Sequence, residues 1–269
     1  MDNARRTILK SALSVPLVAA AGCTTTAPSG ATGSKTYVLV HGGYHGGWCW
    51  SRVTTILQQH GHRTFAPTIT GVGERAHLLT ASIRLATSIE DIVRVIETEE
   101  LTNVVLVGHS IGGIYIAGVA DRISDKIGRL VFLDSVLLDS GQTMLSSLPP
   151  DRQEALQKMA AARSNLAAPK PPAKLFGMER QDDEKWVERR LTDHPWSTWI
   201  DPLVLSKPFG AGLQKHYIEC TKPEFPLVAA SKAKLRKSPN DWKVSSFATG
   251  HNALISAPEQ LAQILLATD

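Results

Sequence analysis

Short runs of apolar and β-branched residues recur along this chain, and between them the apolar residues change to a helical spacing. Strands are predicted at Tyr37–Val40, Arg63–Ala66, Val104–Val107, Leu130–Leu133, Tyr217–Cys220 and Trp242–Ser246. Helical periods occupy Trp50–His60, Ser88–Glu99, Gly113–Ile123 and Pro258–Ala267, with Ser88 and Asp91 placed to cap the second. Runs that are apolar throughout suit strands covered on both faces, as in a parallel sheet flanked by helices. The alternation therefore predicts a doubly wound, mostly parallel α/β sheet. A stretch of different composition, about residues 135–214, interrupts it with prolines at 149, 150, 169, 171 and 172. Amphipathic periods at Arg152–Arg163 and Asp182–Leu191 make that stretch an inserted helical cap.

Composition narrows the partners. With 29 Lys and Arg against 25 Asp and Glu, the net charge of +4 is spread over 269 residues without a basic block, which disfavours nucleic acid. Cys23, Cys49 and Cys220 have neither disulfide-scaffold nor zinc-ligand spacing, and no metal site is expected. No run of 18 apolar residues is present to span a membrane.

The first residues read as an export signal. Arg5-Arg6-Thr7-Ile8-Leu9-Lys10 precedes a short apolar run, Ser11–Ala21, in the layout of a twin-arginine leader over residues 1–22. Ala20-Ala21-Gly22-Cys23 is similar to a lipobox, which makes Cys23 a candidate for lipidation and membrane anchoring. Residues 23–34, rich in Thr, Ala, Ser, Gly and Pro, read as a flexible tether, and the folded domain as 35–269. The expected location is the periplasm or a membrane surface facing it.

Gly108-His109-Ser110-Ile111-Gly112 directly follows one predicted strand and directly precedes a helix. That context makes Ser110 a candidate nucleophile held on a sharp turn above the sheet edge. A serine hydroxyl needs a base, and His251, between the last strand and the last helix, reaches the same edge. His109, beside the nucleophile, is expected to point elsewhere, His41 to shape the loop after the first strand, and His60 and His62 to lie on the surface. Backbone N–H groups of Gly43 and Ile111 are placed to receive a developing oxyanion.

Val40-His41-Gly42-Gly43, His45-Gly46-Gly47-Trp48-Cys49-Trp50, Thr70–Arg75 with His77-Leu78, the serine turn and Gly250-His251 stand along one chain. Together these segments resemble the α/β-hydrolases, and within them the plant methylesterases and hydroxynitrile lyases with their bacterial relatives. The resemblance spans about residues 35–269 and implies the α/β-hydrolase fold, with a Ser110 nucleophile and a His251 base. The lyases carry threonine and lysine where this chain has Gly42 and Asn252, which argues for hydrolysis. The family's acid is expected about 27 to 28 residues before the histidine, where Glu224 is the nearest carboxylate. Asp134, after Leu130–Leu133, is the competing candidate. The implied reaction is cleavage of a small, uncharged carboxylic ester through an acyl-enzyme, without cofactor. The alternatives are amide, carbamate or lactone hydrolysis, a hydroxynitrile lyase, or a non-catalytic ligand-binding protein. Trp186, Trp196, Trp199, Leu175, Phe176, Met178 and Met144 are candidates for pocket lining or cap packing. Glu74, Arg75 and His77 are expected near the same edge, where surface salt bridging is the simpler role.

Overall fold

A computed structural model describes residues 33–268. The leader, Cys23 and most of the tether lie outside the described residues. Six parallel strands form the main sheet: β1 (Thr36–Val40), β2 (Arg63–Phe65), β3 (Val104–His109), β4 (Ile127–Leu133), β7 (Gln214–Cys220) and β8 (Lys243–Phe247), in the order β2-β1-β3-β4-β7-β8. Its helices are α1 (Ser51–Gln59), α2 (Leu85–Thr98), α3 (Gly112–Ile123), α7 (Ala229–Lys237), α8 (Ala253–Ser256) and α9 (Pro258–Leu266). Between β4 and β7 lie α4 (Pro150–Ala161), α5 (Gln181–Glu188), α6 (Ser197–Ile200) and a small antiparallel pair, β5 (Ala167–Ala168) with β6 (His194–Pro195).

The core explains the order. Val38, Leu39, Val40, Leu106, Val107, Leu130, Val131 and Phe132 are fully buried, and burying one such side chain contributes about 1.5–3 kcal/mol relative to exposure. Helix α3 is buried continuously from Gly112 to Ala120, so it is covered on all sides. Helix α2 instead buries a stripe at Ile89, Ile92, Val93 and Ile96, the spacing of one helical face. At the edge of the sheet, β8 leaves Val244 half exposed. Strand order reverses between β1 and β3, and the loops leaving the carboxyl ends of strands near such a switch point are where an α/β sheet places its chemistry.

Two local expectations are corrected. Helix α2 begins at Leu85, so Ser88 lies inside it, buried, and does not cap it. Asp91 is drawn away from the helix end: its carboxylate accepts the Thr70 N–H at 2.6 Å and hydroxyl at 3.0 Å, and pairs with Arg75 at 3.3 Å. His62 is buried, and its Nδ1 accepts the Lys35 N–H at 3.1 Å.

Candidate active site

Ser110 follows β3 on a turn so tight that its φ is +56°, a left-handed conformation uncommon for a residue with a side chain. The flanking glycines are required by space. A Cβ at Gly108 would lie 2.6 Å from the Gly112 carbonyl oxygen, and one at Gly112 would lie 2.9 Å from the His41 carbonyl oxygen. The turn is held by Ser110 N–H donating to the Leu133 carbonyl at 3.1 Å, while the Ser110 carbonyl accepts the N–H groups of Gly113 at 3.1 Å and Val136 at 3.0 Å. Any side chain at Gly42 would meet Ser110 Cβ at 3.0 Å and His109 Nδ1 at 2.9 Å, so the β1 loop lies against the turn. A methyl at Gly43 would be 3.7 Å from Ile111 Cγ2, which puts the two candidate oxyanion donors on adjoining segments.

His251 is buried beside that turn. His109 Nε2 donates to the His251 carbonyl at 2.9 Å, and the two rings are 4.5 Å apart. His109, expected to point elsewhere than the nucleophile, is turned to the His251 backbone carbonyl. Phe225 stacks on His251 with centroids 3.8 Å apart and planes inclined by 20°. The Nδ1–H of His251 donates to Asp134 Oδ2 at 2.7 Å, and its Nε2 has no hydrogen-bond partner among the described residues. That arrangement selects the tautomer with a free lone pair on Nε2, the form a general base needs.

The carboxylate on His251 is therefore Asp134, which corrects the preference for Glu224. Asp134 is fully buried at the end of β4, whereas Glu224 is exposed on the loop after β7. Asp134 also has positive φ, +40°, with its N–H donating to the Ile218 carbonyl at 2.8 Å. Its other oxygen, Oδ1, meets Lys232 Nζ at 3.0 Å and the Cys220 N–H at 3.3 Å. Burial by itself would raise the Asp134 pKa, but the hydrogen bonds and charges of His251 and Lys232 outweigh it and hold the carboxyl below its ordinary value. A sequence signal for this existed: Asp134 is the lone charge between Leu130–Leu133 and Val136–Leu138, so its burial required partners.

The surrounding histidines are neutral. Burial lowers His41 to about 4 and His45 to about 3, and pushes His109 well down. His41 Nδ1–H donates to the Gly42 carbonyl at 2.8 Å, while its Nε2 accepts the Ile69 N–H at 3.2 Å, which fixes the loop as expected. His45 donates to the Gly43 carbonyl at 2.7 Å and accepts from Asn252 Nδ2 at 3.2 Å. Asn252 is therefore part of the wall, and it supplies no cation.

The cap residues divide. Phe176 lies 5.0 Å from the His45 ring and 6.3 Å from His251, and Met178 Sδ is 3.8 Å from Asn252 Nδ2, so both reach the site. Trp196 and Met144 pack in the core, Trp199 packs against Tyr44, and Leu175 is exposed. Trp186 stacks edge-on against Trp48 at 5.1 Å. Arg75 also donates to the Thr68 carbonyl at 2.8 Å, which makes it a loop brace; Glu74 and His77 sit on the same 3-10 turn. The segment between β4 and β7 is tied to the loops around the sheet edge by Asn252 N–H to the Phe176 carbonyl at 3.2 Å and by Thr192 N–H to the Tyr44 carbonyl at 3.0 Å.

Residues 37–264 match the alpha/beta hydrolase family. The chain belongs to that family. The hydrolase is 38% identical over 239 residues to a carbendazim hydrolyzing esterase of Nocardioides sp. (strain SG-4G), covering 86% of this chain and 98% of the relative. It is 22% identical over 249 residues to the putative methylesterase 15, chloroplastic, of Arabidopsis thaliana, covering 87% of this chain and 56% of that protein. Among solved structures it superposes on an extracellular α/β-hydrolase from a Paenibacillus species, described as homologous to tobacco salicylic acid binding protein 2. That match has a TM-score of 0.76 at 19% identity and covers 87% of this chain and 98% of that one. A polyneuridine aldehyde esterase mutant gives a TM-score of 0.70 at 19% identity, covering 88% and 100%. At these identities the superpositions establish the hydrolase fold.

Proposed function

We propose that this protein is a serine hydrolase of small, uncharged carboxylic esters, with Ser110, His251 and Asp134 as its triad. The observation that carries the reading is the buried His251, bound through Nδ1–H to Asp134 and left with a free Nε2 beside the strained Ser110 turn. Ser110 Oγ attacks the ester carbonyl carbon while its proton passes to His251 Nε2. The negative charge on the carbonyl oxygen is received by the N–H groups of Gly43 and Ile111. Collapse breaks the C–O bond to the leaving alcohol, which takes the proton from the imidazolium. Water then adds to the acyl-enzyme by the same route and releases Ser110 and the acid. Asp134 orients the imidazole and stabilises its charged form without becoming protonated. Phe176, Phe225 and Met178 form the apolar side of the site and favour an uncharged acyl or alcohol group.

The esterase names of the relatives support this chemistry, and the first of them favours a second substrate class. A carbamate or amide passes through a tetrahedral intermediate of the same shape, so carbendazim belongs in the substrate panel. The test is hydrolysis of p-nitrophenyl and methyl esters of graded acyl length alongside carbendazim, with Ser110→Ala as the blank. Ester turnover and fluorophosphonate labelling that both disappear in Ser110→Ala support the reading, and the expected loss in kcat is on the order of 10^6-fold. Labelling that persists in the variant contradicts it. We further propose export through residues 1–22 with lipidation at Cys23; release of a Cys23→Ser variant from the membrane fraction is the expected outcome.

A further inference from the structure

The relocated carboxylate has a partner that ester hydrolysis by a serine triad does not require. Lys232, on α7, is buried, with its Nζ 3.0 Å from Asp134 Oδ1 and donating to the Cys220 carbonyl at 2.7 Å. The carboxylate is thus gripped from both sides, His251 on Oδ2 and the ammonium with the Cys220 N–H on Oδ1. Turning it about its Cβ–Cγ bond would break both sets of contacts at once. A buried ion pair of this kind is weak evidence for stability, because desolvating two charges offsets most of their attraction. Its value lies in geometry and local charge.

We propose that Lys232 is a positioning residue of the triad, fixing Asp134 on His251 and offsetting part of the carboxylate's charge, so that it sets the acid limb of the rate profile. The inference rests on the Ser110–His251–Asp134 reading.

The groups facing Asp134 and His251 come from β7, β3, the β1 loop and α7. From β7, Tyr217 and Cys220 face Asp134, and burial first and then the Asp134 charge push both acids up, so they stay neutral. From β3 and the β1 loop, His109 and His45 face His251, and burial keeps them uncharged near neutral pH. Among these neighbours Lys232 alone brings a positive charge to the carboxylate. A cation beside Asp134 offsets part of the carboxylate's attraction for a neighbouring proton, so removing that cation is expected to move the acid limb of the rate profile to higher pH.

The experiment measures kcat and KM for p-nitrophenyl acetate across pH in the full enzyme and in Lys232→Met, Lys232→Gln, Lys232→Arg and Asp134→Asn. The two neutral variants are expected to move the acid limb of kcat/KM upward by about one pH unit. They are also expected to lower plateau kcat by about tenfold with little change in KM, while Lys232→Arg, which keeps the charge, holds the limb near its original position. Neutral variants that fold, judged by near-UV circular dichroism, and give a superimposable pH profile overturn the proposal. So do neutral variants that cannot fold while Lys232→Arg folds with a shifted limb, since the lysine would then be structural. Asp134→Asn separates the two levels: if that variant keeps full activity the triad reading itself fails, whereas an inactive Asp134→Asn with an unshifted Lys232→Met removes the lysine's role alone.

Discussion

Two loops leave the carboxyl edge of the sheet side by side, one after β4 and one after β7, and they have divided a task that the family resemblance assigns to the second. The β7 loop carries Glu224, exposed, and Phe225, stacked on His251. The β4 loop carries Asp134, buried and bonded to His251 at 2.7 Å. What His251 needs as the proposed base is a carboxylate at Nδ1, and parallel strands bring two neighbouring edges within reach of the same imidazole. The acid can therefore change strands while the geometry around the histidine is kept. The β7 loop then supplies an apolar face to the ring, and the helix beyond it supplies the lysine that grips the acid.

The largest effect that could break this comparison is a carboxylate exchange. Asp134→Asn is expected to lower kcat/KM by about 10^4-fold, since the imidazole loses the acceptor that fixes its tautomer. Glu224→Gln is expected to change it less than about twofold, because its side chain is exposed and surface substitutions have little to lose. Steady-state kinetics on the same ester would reverse the assignment if the two effects were interchanged. A smaller effect sharpens what the β7 loop still does. Phe225→Ala removes the ring stacked on His251, and a contact of about 0.5–1.5 kcal/mol corresponds to roughly a two- to tenfold drop in kcat. A wild-type kcat in that variant would mean that the ring only fills space.

The sequence exposed some of these relations and hid others for physical reasons. The apolar runs located the central strands because a strand covered on both faces has no polar alternation to disguise it, as Val104–Val107 illustrates. Ser110 was legible because its turn demands glycines on both sides, and His251 because it lies between the last strand and the last helix. The acid was not legible from spacing along the chain. Glu224 stands at the expected separation, yet which carboxylate meets Nδ1 depends on side-chain reach across two strands. The better guide was the isolation of Asp134 in an apolar stretch, a charge whose burial demands partners. Lys232 left no such mark, because Lys234, Arg236 and Lys237 follow it on α7 and nothing in the series says which one turns inward. Phe225 is similar: an aromatic residue after a strand reads as packing until the histidine it covers is placed in space.

The division between the two loops is tested most directly by observing the hydrogen bond itself. Proton NMR of the uninhibited enzyme, with histidine labelled at nitrogen, should show a far-downfield Nδ1–H resonance from His251. The account predicts that this resonance remains in Glu224→Gln and disappears in Asp134→Asn. A resonance that survives Asp134→Asn and is lost in Glu224→Gln would place the acid on the β7 loop and contradict the account.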